Sequence, residues 1–231
     1  MHRLVMGLPT LALLVSGCGG SAVTVPRPTV YAPATEEEAT AAAERTTPTE
    51  SRELRFRWQF RDDRGAAGGR GRIRLAVLDS VRLDVTGPLG SGHAAAFVLG
   101  DTAIWAQPEE DVKKLVPNYS LFWAMLGIAR RPPAGTTIRK FGNETVSAWQ
   151  YHHGADTLDY VTVAGSPKRF YAEVRQGGKT TGTVETQIGA DGRPISARLI
   201  VPSVPARLDI TFYSNVKAKP FAADTWTPPE P

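Results

Sequence analysis

The sequence carries few side chains that suit catalysis or metal binding. It has one cysteine, Cys18, and four histidines, of which His152 and His153 are adjacent. Adjacent side chains on a strand point to opposite faces of a sheet, so these two histidines cannot chelate one metal ion. The loop at residues 87–92 lacks both the Gly-x-Ser-x-Gly pattern of a serine nucleophile and the Lys-Ser/Thr pair of a phosphate-binding loop. We therefore expect no enzyme, no metal and no cofactor, with an exported hydrolase as the least favoured alternative.

The first eighteen residues have the features of an export signal. A short basic start precedes an apolar stretch at residues 4–15, which is too short to span a bilayer. It ends in Leu-Val-Ser-Gly-Cys at residues 14–18, which is similar to the lipobox of bacterial lipoproteins. The resemblance implies cleavage before Cys18, acylation of that residue and anchoring in a membrane. An ordinary signal peptide that contains a cysteine is the alternative. In Gram-negative lipoproteins, aspartate directly after the lipidated cysteine resembles a signal for retention in the inner membrane. Gly19 stands at that position here, so we expect the protein to be anchored in the outer membrane and to face the periplasm.

Composition divides the rest of the chain into two parts. Residues 19–50 are rich in Ala, Thr, Pro and Glu and show no persistent apolar periodicity, which predicts a mostly disordered spacer. A short helix from Thr35 to Arg45, with Thr35 as its N-cap, is the alternative within it. We therefore predict a signal peptide at 1–17, a lipidated cysteine and flexible tether at 18–51, and one domain at 52–231.

Size and charge narrow the class of that domain. The chain has 231 residues and a formal net charge of +4, with 42% hydrophobic residues, which is enough for one sizeable core. No apolar run reaches the roughly 18 residues of a membrane-spanning helix. Residues 51–231 carry 24 Lys plus Arg against 18 Asp plus Glu. We expect no nucleic-acid partner because the chain carries an export signal, and attraction to anionic lipid headgroups is the more plausible role of this excess.

Period-two alternation dominates the domain. Residues 54–60 place Leu, Phe, Trp and Phe on one face and Arg, Arg and Gln on the other. Residues 62–71, which are rich in glycine, are interpreted as a turn or flexible loop. An acidic helix start follows Pro108, and an almost wholly apolar helix is expected over residues 119–128. Turn signals every eight to twelve residues predict a mainly β (α+β) fold: a single curved, unclosed antiparallel sheet of about eleven strands, with two short helices over its concave apolar face.

Several of these features together resemble the LolA/LolB family of lipoprotein carriers and receptors. They are the lipobox, the strand with Phe56 and Trp58, the Pro88-Leu89-Gly90 loop after a strand, and the apolar helix that ends in Leu126-Gly127. The resemblance extends over roughly residues 52–215 and is most specific at about 82–128. It implies an apolar cavity for acyl chains, receipt of lipoproteins from a periplasmic LolA-like carrier, and insertion of that cargo in the membrane by the protruding Leu89 of the loop.

An acyl chain of about sixteen carbons gains roughly 10 kcal/mol on leaving water, so a carrier needs a large apolar concavity. The sequence supplies candidates, although each of them also suits an ordinary core. The alternative function is a structural or assembly lipoprotein that binds a protein partner, with the cavity filled by its own side chains. The side chains expected to line the cavity are Phe56, Trp58, Phe60, Ile73, Leu75, Leu83, Val85, Phe97, Leu99, Leu115, Leu121, Phe122, Met125 and Leu126.

Overall fold

The computed structural model describes residues 23–228 except 78, 91, 111 and 113–117, and it describes the backbone but not the side chain of Leu89. The predicted signal peptide, Cys18 and Leu115 lie outside the described residues. Within the described part of the chain, no helix is long and apolar enough to cross a membrane.

One antiparallel sheet of thirteen strands forms the framework. It is not closed, and its spatial order is β1-β7-β8-β9-β10-β11-β12-β13-β2-β3-β4-β5-β6. The fold class predicted from the sequence is confirmed. The strands are β1 (Ala32–Pro33), β2 (Arg52–Asp62), β3 (Gly65–Ala76), β4 (Ser80–Thr86), β5 (His93–Leu99), β6 (Thr102–Gln107), β7 (Thr137–Gly142), β8 (Val146–His153), β9 (Asp156–Val163), β10 (Lys168–Gln176), β11 (Lys179–Ile188), β12 (Pro194–Val201) and β13 (Ala206–Lys217).

Two meanders of consecutive hairpins make up this sheet. The first runs from β2 to β6 and the second from β7 to β13. The last strand of the chain's second meander pairs with the first strand of the first, with Ile210 opposite Trp58 and Leu208 opposite Phe60. This pairing of distant segments joins the two meanders into one surface.

Two short helices, α1 (Glu36–Glu44) and α2 (Tyr119–Met125), accompany the sheet. The side chain of Asn118 caps α2 by accepting a hydrogen bond from the backbone N–H of Leu121. Five side chains of α2 are buried, and α2 packs on β10, β11 and β12. We call the face of the sheet that α2 contacts the inner face and the opposite one the outer face. Trp123 also donates a hydrogen bond to the carbonyl of Gly100, between β5 and β6 (2.7 Å), so the sheet wraps around α2.

The glycine-rich stretch is part of a strand and not the predicted loop. β2 and β3 pair continuously from Arg52 opposite Leu75 to Asp62 opposite Gly65. A Cβ atom at Gly71 would lie 2.2 Å from Cζ of Phe56, and one at Gly69 would lie 1.9 Å from the carbonyl oxygen of Thr86. Glycine is therefore required in this strand because a ring and a neighbouring backbone occupy the space of its side chains.

The described part of the predicted tether, residues 23–50, is folded onto the sheet, which differs from the disordered spacer that we expected. β1 pairs with β7, and α1 begins at Thr35 with a complete capping box, as the alternative predicted. Ala39 and Ala43 of α1 are buried, and Ala39 joins the main core. The alanines that suggested a flexible segment are thus small side chains that allow close packing of a helix.

The C-terminal segment, residues 218–228, covers part of the outer face. A 3-10 turn at Ala223–Trp226 places the Trp226 ring 5.2 Å from that of Phe97. Arg82 donates to the carbonyl of Thr225 (2.8 Å), and Trp105 donates to that of Trp226 (2.8 Å). Strands β4, β5 and β6 are therefore shielded on the outer side by the end of the chain.

Candidate functional site

An apolar cleft lies between α2 and the strands at the junction of the two meanders. Alternation directs every second side chain of β2, β3, β4 and β13 to the inner face, where they meet two side chains of α2. The described side chains that line the cleft number ten, and all of them are hydrophobic. They are Phe56, Trp58, Ile73, Leu83, Val85, Phe122, Met125, Leu126, Leu208 and Ile210.

The cleft is almost filled in this conformation. Its free volume is about 20 Å³, close to the smallest space that holds one water molecule. A binding pocket for a small molecule has typically about 300–1,000 Å³. An acyl chain can therefore enter only if side chains or α2 move away from the sheet.

The wall formed by α2 is held by contacts at its ends. Thr186 of β11 donates a hydrogen bond to the carbonyl of Ala124 (2.7 Å), and both groups are buried. Leu121 fills the space next to Gly182, where a Cβ would lie 2.4 Å from the Leu121 Cδ1. Gly127 ends the helix with a φ of 77°, a left-handed conformation that favours glycine. Met125, which is unbranched and has several rotamers, is the most adaptable side chain of this wall.

Among the ten described lining side chains, Trp58 alone is half-buried and the others are buried, so the mouth of the cleft lies beside Trp58 and the chain that leaves β4. The Trp58 indole donates to the carbonyl of Thr86 (3.2 Å), the same oxygen that blocks a side chain at Gly69. Since Trp58 lines the cleft, this oxygen lies on the inner side of β3. The backbone then forms a 3-10 turn at Pro88–Gly90, with Gly90 at a φ of 81°. The turn that carries Leu89 is thus next to the mouth.

Eight of the fourteen side chains expected to line a cavity are among the ten that line this cleft: Phe56, Trp58, Ile73, Leu83, Val85, Phe122, Met125 and Leu126. Phe60, Leu75 and Leu121 belong to or pack against the main core outside this cleft. Phe97 and Leu99 were placed wrongly. They project to the outer face, because they alternate with the buried inner-face residues Ala96 and Val98.

Two lining residues on β13, Leu208 and Ile210, were absent from the predicted set. Their strand alternates clearly, with buried residues at every second position from Ala206 to Phe212. That pattern predicts which side chains face inwards but not which strand lies alongside. The pairing of β13 with β2 could not be deduced from short-range signals.

A buried ionic cluster lies on the outer face of β9 and β10. Asp159 and Glu173 are fully or almost fully buried. Arg175 binds Asp159 (2.5 Å), and Arg27 from the N-terminal segment binds Glu173. Burial, together with the charge of Asp159, raises the pKa of Tyr31, which lies in the same segment. The ion pair of Arg27 with Glu173 attaches the N-terminal segment to the sheet, which is a structural role.

The described residues bring together no group of three or more His, Asp or Glu that could hold a metal ion. The ring of His152 contacts the side chains of Gln150 (2.7 Å) and Thr157 (3.1 Å). Burial raises the pKa of Tyr160 far above its ordinary value, and its hydroxyl accepts a hydrogen bond from the backbone N–H of Arg130. The contacts of His152 and Tyr160 are those of structural residues.

Three solved structures of bacterial proteins illustrate what this chain is similar to. A LolA superfamily protein from Nitrosomonas europaea is 13% identical to this chain, with a TM-score of 0.47. The match covers 82% of this chain and 97% of that one. An outer-membrane lipoprotein-sorting protein domain, described as putative, from Vibrio parahaemolyticus has 7% identity, 83% and 97% coverage, and a TM-score of 0.46. MucB has 12% identity, 84% and 63% coverage, and a TM-score of 0.36.

No protein-family model matches the sequence, and no curated protein matches it. The functional argument therefore rests on the chain's own residues.

Proposed function

We propose that the protein is an exported, non-enzymatic lipoprotein that binds acyl chains in the apolar cleft and delivers lipoproteins or lipids to the outer membrane, receiving cargo from a LolA-like periplasmic carrier. The observation that supports this most is the cleft, whose ten lining side chains are all hydrophobic. An apolar concavity without polar anchors suits a chain of methylene groups, which offers no hydrogen-bonding groups to recognise.

The small free volume of about 20 Å³ favours a second function. In that alternative the cleft is ordinary core, and the sheet is a scaffold for a protein partner. The two functions differ in whether the wall formed by α2 can yield to a ligand.

We expect Met125→Ala to raise the affinity for a fluorescent long-chain acyl probe, because it creates space that a chain can fill. Burial of one or two methylene groups of the acyl chain in this space, at about 0.8 kcal/mol each, predicts a gain of roughly four- to fifteenfold. The measurement is a titration of the chain that starts at Gly19, which retains every described residue, with displacement by an unlabelled fatty acid. Wild type should bind about one probe per chain if one cleft is the site.

Leu199→Ala is the matched control, since Leu199 is similarly buried (2% exposed, against 3% for Met125) and belongs to the main core but does not line the cleft. Both variants should remain folded by circular dichroism. An equal gain in both variants would show that the probe binds to loosened cores in general. Absence of probe binding by folded wild type and folded Met125→Ala would refute the acyl carrier and favour the partner-binding scaffold.

We propose further that the 3-10 turn at Pro88–Gly90 contacts the membrane during delivery. Leu89→Glu is expected to slow transfer of an acylated cargo to vesicles by roughly tenfold or more, since burial of a leucine side chain is worth about 1.5–3 kcal/mol. Probe binding should be unchanged because the backbone of the turn lies at the mouth and not among the described lining residues of the cleft. Leu89→Ile serves as the control. Loss of probe binding in Leu89→Glu would contradict this division of roles.

A further inference from the structure

The outer face around the junction of the two meanders is rich in arginine. Residues directly opposite each other in antiparallel strands project to the same face, so the register assigns these side chains. Four carboxylates share this surface: Glu53, Asp84, Glu185 and Asp209. The arginines on it are Arg55, Arg57, Arg61, Arg70, Arg72, Arg74, Arg82, Arg198 and Arg207.

The carboxylates neutralise only part of this surface. Glu53 lies beside Arg55 and Arg72, Asp84 binds Arg74 and Arg82, and Asp209 binds Arg198 and Arg207. The remaining three, which are Arg57, Arg61 and Arg70, are exposed and form no ion pair among the described residues.

We call these three residues, together with the exposed Arg64 of the β2–β3 turn, the basic end of the sheet. The turn also holds Asp62 and Asp63, and Asp62 accepts hydrogen bonds from the backbone N–H groups of Arg64 and Gly65. The guanidinium of Arg57 lies over the Tyr213 ring (5.8 Å). Four arginines against two aspartates leave the basic end with net positive charge.

The basic end adjoins the mouth of the cleft. Arg70 is opposite both Arg57 and Thr86, and Thr86 is the last residue of β4 before the Pro88–Gly90 turn. The side chains of Arg57 and Arg70 project to the outer face, and Trp58, the neighbour of Arg57 on β2, projects to the inner face at the same level of the sheet. A surface that touches the turn can reach these arginines at the same time.

We propose that the basic end docks on anionic lipid headgroups and so presents the mouth of the cleft to the membrane. The inference rests on the proposed membrane-delivery function and adds the charge class of the lipid. Positive charge without internal partners complements such a surface, and each arginine near it contributes about 1 kcal/mol. Val23 packs on the outer face against Ala148, Val161 and Tyr171. A chain from Cys18 to Val23 spans at most about 18 Å, so an anchor at Cys18 would hold the part of the outer face on β8, β9 and β10 near the bilayer.

The test is co-sedimentation of the unlipidated chain from Gly19 with vesicles of phosphatidylcholine, with and without phosphatidylglycerol. Wild type should bind only the anionic vesicles, and the binding should weaken as salt is added. The double variant Arg57→Gln/Arg70→Gln should bind them roughly tenfold or more weakly. Its affinity for the acyl probe should be unchanged, because neither side chain lines the cleft.

Lys168→Gln/Lys219→Gln is the matched control, with the same loss of charge at exposed residues away from the basic end. An equal loss in this control would show that only net charge matters, which would overturn the proposal. Equal binding to neutral vesicles, or unchanged binding by the arginine variant, would overturn it as well. If wild type binds anionic vesicles through these arginines but takes up no acyl probe, the docking surface stands and the acyl carrier fails.

Discussion

Trp123→Ala is expected to lower the free energy of unfolding by about 3–5 kcal/mol, the range for loss of a buried aromatic side chain. Trp123 is 1% exposed and belongs to the main core. Its indole also donates to the carbonyl of Gly100, so the substitution leaves that acceptor without this partner. Chemical denaturation of the chain from Gly19, followed by circular dichroism, measures the loss.

The effect is large because Trp123 connects three parts of the fold. The Arg130 guanidinium stacks over its ring (4.8 Å) and binds Asp79 and Asp101, which flank β4 and β6. The ring also lies 5.9 Å from that of Phe122, which lines the cleft. Truncation at Trp123 therefore loosens α2, the wall of the cleft, together with the hairpin of β5 and β6.

Two further variants separate the contribution of the indole hydrogen bond from that of the buried ring. Trp123→Phe keeps a ring but removes the donor, and we expect about 1–3 kcal/mol from the unpaired acceptor and the smaller volume. Trp105→Ala is the matched control on the outer face, where the indole is only half-buried. A smaller loss for Trp123→Ala than for Trp105→Ala would contradict the role of Trp123 as the centre of the α2 contacts.

Local patterns were sufficient to predict most of the cleft. Phe56 and Trp58 alternate with exposed arginines, and the alternation alone placed them on the inner face. Phe122 and Met125 stood out because their helix is apolar nearly all round. For these residues, burial is decided by the periodicity of the element that carries them.

Other features depended on contacts between segments far apart in sequence. Residues 65–71 lack large apolar side chains, so no apolar periodicity indicated a strand. The strand accommodates Phe56 and the Thr86 carbonyl in the space that side chains at Gly71 and Gly69 would occupy. Phe97 was placed on the wrong face because the strand is apolar on both sides, and the outer side is covered by Trp226. The order of strands likewise depends on the long-range pairing of β13 with β2.

Deleting residues 19–50 is expected to cost several kcal/mol, a large share of the about 5–15 kcal/mol of an ordinary domain. The deletion removes α1 from the core and takes away Thr46, whose hydroxyl accepts a hydrogen bond from the backbone N–H of Ala129 after α2 (2.8 Å). It also removes Arg27 and leaves the buried carboxylate of Glu173 with fewer partners. Chemical denaturation of both chains measures the difference.

Deletion of residues 19–22 alone is the matched control and should leave stability unchanged, because every described contact remains. If both truncated chains unfold at the same denaturant concentration, residues 23–50 are a spacer and the proposed close approach to the membrane loses its basis. A large loss confined to the longer deletion means that the folded unit begins near residue 23. An anchor at Cys18 would then hold the part of the outer face around Val23 close to the bilayer, because only four residues lie between Cys18 and Val23.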